Sequence, residues 1–464
     1  MIRKPVLFLI IVLFTAYSPE RLFAHSYSVK SLPEYHIAET EASAGDTIYW
    51  QAGTYRDVDL VISRDKISIL AERPGATLFT GSSKVEIRSS YVTFGGFQFT
   101  GGKADGDVIK VSGSHNLLGH LNVSGYHSNY YLNVTASARH NTIAYCNFEK
   151  KPEDKTTSVV QIQVDEKEPG YHKLRYCSFK NHTAPPGAGG DYGIEALRIG
   201  YSFQSKFISR TIVEYCYFSR CNGDGEIISS KARENIYRYN TFEDNGESHF
   251  TLRHGCDNVL YGNFFLKGAG LRIKEGQNHM VYNNFFQTGE YFAIRLENYK
   301  VDPLENIMIL HNTFSGSGDI RFGGRGDFQP ERVQVVNNLF LDPAGGILSD
   351  MTGRETFQGN IVRPQERLPA LTGFSRLSVQ IENVNGWLQP QLPVIDGVSS
   401  LMGIRILDIP ELDDDPEIKL DIAGNKRPEE KKSAGCYEPG HHSNPVKPYA
   451  TAQNTGPSYL QGSL

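Results

Sequence analysis

Short stretches of the chain alternate apolar and polar residues with a period of two, the signature of half-buried strands. Asn235-Ile236-Tyr237-Arg238-Tyr239 and Asn306-Ile307-Met308-Ile309-Leu310 are examples. Each such stretch runs into a recurring polar and aromatic group: Tyr239-Asn240-Thr241-Phe242, Gly262-Asn263-Phe264-Phe265, Asn283-Asn284-Phe285-Phe286, His311-Asn312-Thr313-Phe314 and Asn337-Asn338-Leu339-Phe340. From Asn240 through Asn263, Asn284, Asn312 and Asn338 to Asn360, the steps are 23, 21, 28, 26 and 22 residues. That interval is close to one coil of a parallel β-helix with loops of variable length. Successive coils of such a helix lie ~4.8 Å apart, so equivalent side chains stack. The asparagines are expected at corners, in the left-handed conformation and bonded to neighbouring backbone, with Phe and Ile stacked in the core. Leucine-rich repeats and propellers fit less well, because the loops are irregular in length. The pattern predicts an all-β, single-domain, right-handed parallel β-helix.

Composition agrees with this reading. The chain of 464 residues is 39% hydrophobic and carries 45 Gly, 25 Tyr and 25 Phe, rich in strand and turn formers. Neither disorder nor a coiled coil fits. Residues 1–24 are expected to be a signal peptide: Arg3-Lys4 precedes the nine-residue apolar run Val6 to Phe14, and Ala24 follows Leu22-Phe23. That run is too short for a permanent membrane helix, which needs ~20 residues, so a secreted or periplasmic protein without a membrane anchor is expected. Residues 25–438 would form the catalytic β-helix and residues 439–464 a polar tail. Cys146, Cys177 and Cys216 share the local pattern Tyr-Cys-x-Phe, which predicts a ladder of buried thiols; a disulfide involving Cys216 or Cys221 stays open. No cysteine or histidine spacing suggests zinc.

Lys231 closes the segment Asn222-Gly223-Asp224-Gly225-Glu226-Ile227-Ile228-Ser229-Ser230-Lys231, and Arg253-His254-Gly255 follows it 22 residues after the lysine. One coil of separation predicts that Lys231 and Arg253 project side by side, exposed on the outer face. Lys274 and Arg295 follow at steps of 21 and 21, then Arg321, which predicts a basic stripe along the axis. With a formal net charge of -5 the protein has no general attraction for polyanions, so a cationic groove must be local. Asp224 and Glu226, two apart, face one side of a strand and can bind a hard cation. Lys231 has the opposite parity to Glu226, which calls for a corner between them, with Ser229-Ser230 as the candidate.

At these residues the chain resembles polysaccharide lyase family 6, which holds alginate lyases and the dermatan-sulfate-cleaving chondroitinase B. The resemblance extends from Gly45-Asp46 to Glu438, where Asp421 to Pro428 and Ala434 to Glu438 look like a β-helix closing segment. It implies that Lys231 is the base of a β-elimination, that Arg253 is the acid or proton relay, and that His254 lines the substrate site. Arg198, Lys274, Arg295 and Arg321 complete the expected substrate-binding set. The family's calcium-dependent members take an Asn from one coil and two acids from the next. Here Asp224 and Glu226 match the acids, while Tyr192 stands where the Asn is expected, with Asp191 or Glu195 as substitutes. Two carboxylates fall short of the 6–8 oxygens calcium takes, so the reading leans toward neutralisation by Arg and Lys, aided by His254, with calcium as the open alternative. The expected partner is an anionic uronate polymer, alginate before dermatan sulfate, and no nucleic acid; the expected state is a monomer. A galacturonan-type hydrolase, to which Arg272-Ile273-Lys274 points, lacks its carboxylate partner motifs here. A non-catalytic glycan-binding β-helix would not need the Lys/Arg pair.

Overall fold

A computed structural model describes residues 24–461 except 189, 300–301, 317–319, 325–327, 342–345, 365–370, 396, 401–417 and 441–442. The expected signal peptide, up to residue 23, lies outside the described residues. The chain winds as a right-handed parallel β-helix whose coils each contribute a strand to three parallel sheets of 15, 12 and 14 strands. The first sheet begins Ser26–Val29, Thr47–Trp50, Ser68–Ala71; the second, Asp59–Ile62, Lys84–Ile87; the third, Gly53–Arg56, Thr77–Gly81. The helix Leu32–Glu41 starts at Ser31, whose hydroxyl accepts from the Glu34 amide. Its buried Tyr35 stacks 6.1 Å from Trp50, so the helix covers the open end of the core. No helix among the described residues is long and apolar enough to cross a membrane.

Stacking builds the core in columns. Phe148, Phe179, Phe218, Phe242, Phe265, Phe286, Phe314 and Phe340 form one continuous aromatic column with centroids 4.7–5.2 Å apart. Beside it runs the asparagine ladder, fully buried. Asn240, Asn263, Asn284, Asn312 and Asn338 each donate from the side-chain amide to the Oδ1 of the next, at 2.9–3.1 Å. The left-handed conformation sits one residue earlier than expected, on Tyr239, Gly262, Asn283, His311 and Asn337. The ladder asparagines keep ordinary backbone angles because their amides are committed to the buried ladder. Cys146, Cys177 and Cys216 occupy the same position in the earlier coils, free and buried, and the Cys216 amide donates to Asn240 Oδ1 at 2.9 Å. Cys221 is also a free thiol. A second ladder, unforeseen in the sequence, runs through Thr211, Asn235, Asn258 and His279, each backbone amide donating to the next side chain.

The segment after Glu438 folds back along the helix. Tyr449 packs edge-on against Tyr215 and Tyr239, the Gly456 amide donates to Tyr176 O at 2.7 Å, and Tyr459 Oη donates to His120 O at 3.0 Å.

Asn284 accepts from both the amide and the side chain of Asn263 and donates to Leu260 O, Tyr282 O and Asn312 Oδ1. Asn284→Ala strands these buried groups and is expected to cost about 1–3 kcal/mol. Equilibrium denaturation reads this directly, and an unmoved midpoint would show that the ladder is not a stabilising element.

Candidate active site

The second sheet carries most of the candidate site residues. Its strand Glu226–Ser230 contains a β-bulge: Glu226 pairs with His249 and Ile228 with Phe250, leaving Ile227 as the extra residue. The bulge, rather than a corner at Ser229-Ser230, reconciles the parities. Ile227 and Ile228 are both buried, and Glu226, Ser229 and Lys231 all come to the outward face.

Register then sorts the cations into two columns where equal steps had suggested one stripe. Ser230 pairs with Leu252, which sets Lys231 beside Arg253, and Arg253 pairs with Lys274. The next member of that column is Glu297, not Arg295. Arg295 instead continues a neighbouring column, Arg198, Ser229, Thr251, Arg272, Arg295, Arg321. Both Arg295 and Arg321 are held by acids, Glu297 and Asp350 respectively, the second at 2.6 Å.

At the centre, Glu226 Oε1 accepts from Arg272 Nη2 at 2.6 Å and from Arg253 Nη1 at 3.1 Å, while its other oxygen accepts from the Ser229 hydroxyl. Burial pushes the Glu226 carboxyl up, but these cations outweigh it and hold the group below the usual range. Lys231 is buried, 7% exposed, rather than open on the outer face. Among the described residues no side chain is in hydrogen-bonding or ion-pairing contact with its ammonium. Burial lowers the Lys231 pKa, helped by Arg253 and Arg198 and opposed by Glu195 and Glu226. His254, at φ 68, places Nδ1 2.8 Å from the buried Glu275 Oε2. Burial lowers its pKa against the pull of Glu275, so its ring is kept toward the neutral form. Lys274 lies 4.9 Å from the Tyr299 ring.

Three carboxylates converge here. Oxygens of Glu195, Asp224 and Glu226, all buried, lie within 4.8 Å of one another. Burial and then Glu195 push the Asp224 carboxyl up to about 7, and burial raises Glu195. Glu195 Oε2 is buried without a hydrogen-bond partner. A hard cation suits such a donor set, all oxygen and mutually repelling. Tyr192 takes no part in the cluster, since its hydroxyl donates to Glu153 O, and Asp191 is exposed. Glu195 comes from the preceding coil, beside Arg198 at 3.6 Å. The residue that sequence reasoning missed is Arg272: its place in Arg272-Ile273-Lys274 was visible, but its link to Glu226 depends on the bulge.

The chondroitinase B family model matches residues 29–298, which include all of these groups except Tyr299, Arg321 and its acid partner Asp350. No curated protein sequence matches the chain. Among solved structures, the family 6 alginate lyase AlyGC is 23% identical, with a TM-score of 0.69 over 79% of this chain and 55% of its own. This chain thus spans about half of AlyGC's length. A mannuronic-acid-specific family 6 lyase from human gut microbiota is 23% identical, with a TM-score of 0.65 over 76% of this chain and 91% of its own. The family 6 lyase Pedsa3628 from Pseudopedobacter saltans is 21% identical, with a TM-score of 0.62 over 78% of this chain and 97% of its own.

Proposed function

Because the chain belongs to polysaccharide lyase family 6, the family of chondroitinase B, we propose that it is a secreted or periplasmic alginate lyase, acting as a monomer on a uronate polymer by β-elimination. The observation that carries the reading is the pair Lys231 and Arg253 on adjacent coils, with Lys231 buried and, among the described residues, without a fixed partner for its ammonium, and Arg253 tied to Glu226. Alginate is favoured over dermatan sulfate by the resemblance to alginate lyases such as AlyGC and to a mannuronic-acid-specific enzyme.

The chemistry asks for three things. The C5 proton of a uronate is weakly acidic until its carboxylate charge is neutralised. Arg198, Arg253 and Arg272 supply positive charge where that carboxylate and the enolate-like intermediate would sit. Neutral Lys231 takes the C5 proton, the electron pair forms C4=C5, and the bond from C4 to the glycosidic oxygen breaks. The leaving oxygen receives a proton, with Arg253 as the relay and lysine ammonium as its source. His254, kept toward the neutral form by burial, lines the site beside Glu275.

Glu195, Asp224 and Glu226 are the residues that would hold calcium, which when bound supplies charge opposing the uronate carboxylate. The third carboxylate moves the reading toward calcium from the metal-free alternative.

The test of substrate is to offer polymannuronate, polyguluronate and dermatan sulfate separately and follow the absorbance of the conjugated double bond. An alginate block should give the fastest rise. A faster rise with dermatan sulfate would transfer the assignment to a chondroitinase B-like lyase, and new reducing ends without absorbance would indicate a hydrolase.

A further inference from the structure

The outward face of the catalytic sheet opens on one side of Lys231 and is roofed on the other. Toward the C-terminal coils the column becomes more exposed, with side-chain exposures of 16%, 31% and 38% for Arg272, Arg295 and Arg321. Toward the N-terminal coils, the residue after Arg198 in the same column is Gln161, which is 0% exposed although it points to the same face. Two coils further on, Lys110 is 45% exposed, so the cover is local.

Two tyrosines meet across this part of the face. Tyr130 precedes the strand Leu132–Val134, and Tyr201 follows the strand Leu197–Ile199, with Val160–Ile162 between them in the sheet. Their hydroxyls meet at 3.1 Å, so the pair bridges the coils on either side of the one that carries Gln161. Arg198 locks it from below, donating through Nε to Gln161 Oε1 at 2.7 Å and through Nη2 to Tyr130 Oη at 3.4 Å, with its guanidinium 5.2 Å from the Tyr201 ring. Phe203, 75% exposed, stacks on Tyr201 at 5.6 Å with the rings nearly parallel. Cation, hydroxyl pair and stacked ring fix Tyr201 from three directions.

We propose that this roof ends the substrate groove, so that the polymer enters from the C-terminal coils, its terminus stops against Tyr130 and Tyr201, and the enzyme releases short fragments from a chain end instead of cutting internally. The inference rests on the reading of this face as the lyase groove. The coil that carries Tyr201 is one step from that of Lys231 and the coil of Gln161 is two, roughly 5 and 10 Å, room for only one or two sugar residues beyond the base.

The experiment follows viscosity, product size and double-bond absorbance together during digestion of the alginate block that responds. Wild-type protein should raise absorbance while viscosity barely falls, with short fragments dominant from the first sample. Tyr201→Ala and, independently, Tyr130→Ala remove one half of the roof each. Either should shift early products to a ladder of longer fragments and make viscosity fall several-fold further per double bond formed. An early viscosity collapse with a broad ladder from wild-type protein would overturn the proposal while leaving the lyase reading intact, because double bonds still form. Short fragments from both folded variants, verified by unchanged melting, would overturn the role of the roof. Absence of double bonds with every uronate polymer would overturn the lyase reading, and the proposal with it.

Discussion

Lys231→Ala is expected to slow double-bond formation by roughly 10²- to 10⁴-fold, the range a positioned base contributes, while the protein stays folded. The lysine is buried beside Arg253 and Arg198, and its ammonium has no fixed partner among the described residues, so its removal takes away the proton acceptor without breaking a hydrogen bond. Arg253→Ala should cost about 10²- to 10³-fold, as loss of one charge-stabilising donor does, by another route. It removes positive charge from the proposed carboxylate site and leaves Glu226 with Arg272 and the Ser229 hydroxyl. Initial rates by absorbance, with thermal melting as the control, decide both cases. A Lys231→Ala rate near wild type would sink the assignment of the base. A stability loss of ~2–5 kcal/mol, the size of a core deletion, would assign either residue to structure.

Chelation should move the pH profile as well as lower the rate. As the proposed base, Lys231 would work only when neutral, so the rate should rise as pH passes upward through its pKa. Burial, Arg253 and Arg198 depress that pKa, whereas Glu195 and Glu226 hold it up. Calcium held by Glu195, Asp224 and Glu226 would cancel much of the upward pull and bring the acid limb to lower pH. A chelator should therefore shift that limb to higher pH and suppress activity near neutrality, and added calcium should restore both. Glu195→Gln should weaken the calcium response, since it removes one of the three carboxylates. A profile unmoved by chelator, with Glu226→Ala still damaging because Arg253 and Arg272 lose their shared acceptor, would favour neutralisation by Arg and Lys alone.

Much of the fold was legible because stacking repeats its own chemistry. The asparagine steps from Asn240 to Asn360 identified the coil, and Tyr-Cys-x-Phe identified a thiol column that proves to be the same column before asparagine takes over. The left-handed residue was misplaced by one because a buried amide ladder and a backbone turn give the same sequence signal. The site was legible to the level of one coil: Lys231 and Arg253 are neighbours, as 22 residues implied. Spacing failed beyond Lys274 because loops differ in length, and 21 residues lead to Arg295 while the register leads to Glu297. The bulge at Ile227 left no pattern that alternation could reveal, since Ile227 and Ile228 are both apolar. Arg272 on Glu226 was hidden with it. The Tyr130 and Tyr201 roof joins residues 71 apart, a separation that no local pattern encodes.

The most direct test of elimination is the mass and absorbance of the products formed from the responsive uronate polymer. β-Elimination by this site predicts fragments lighter by one water than hydrolysis products, each carrying a conjugated C4=C5 double bond. Saturated fragments of full hydrolytic mass would contradict it.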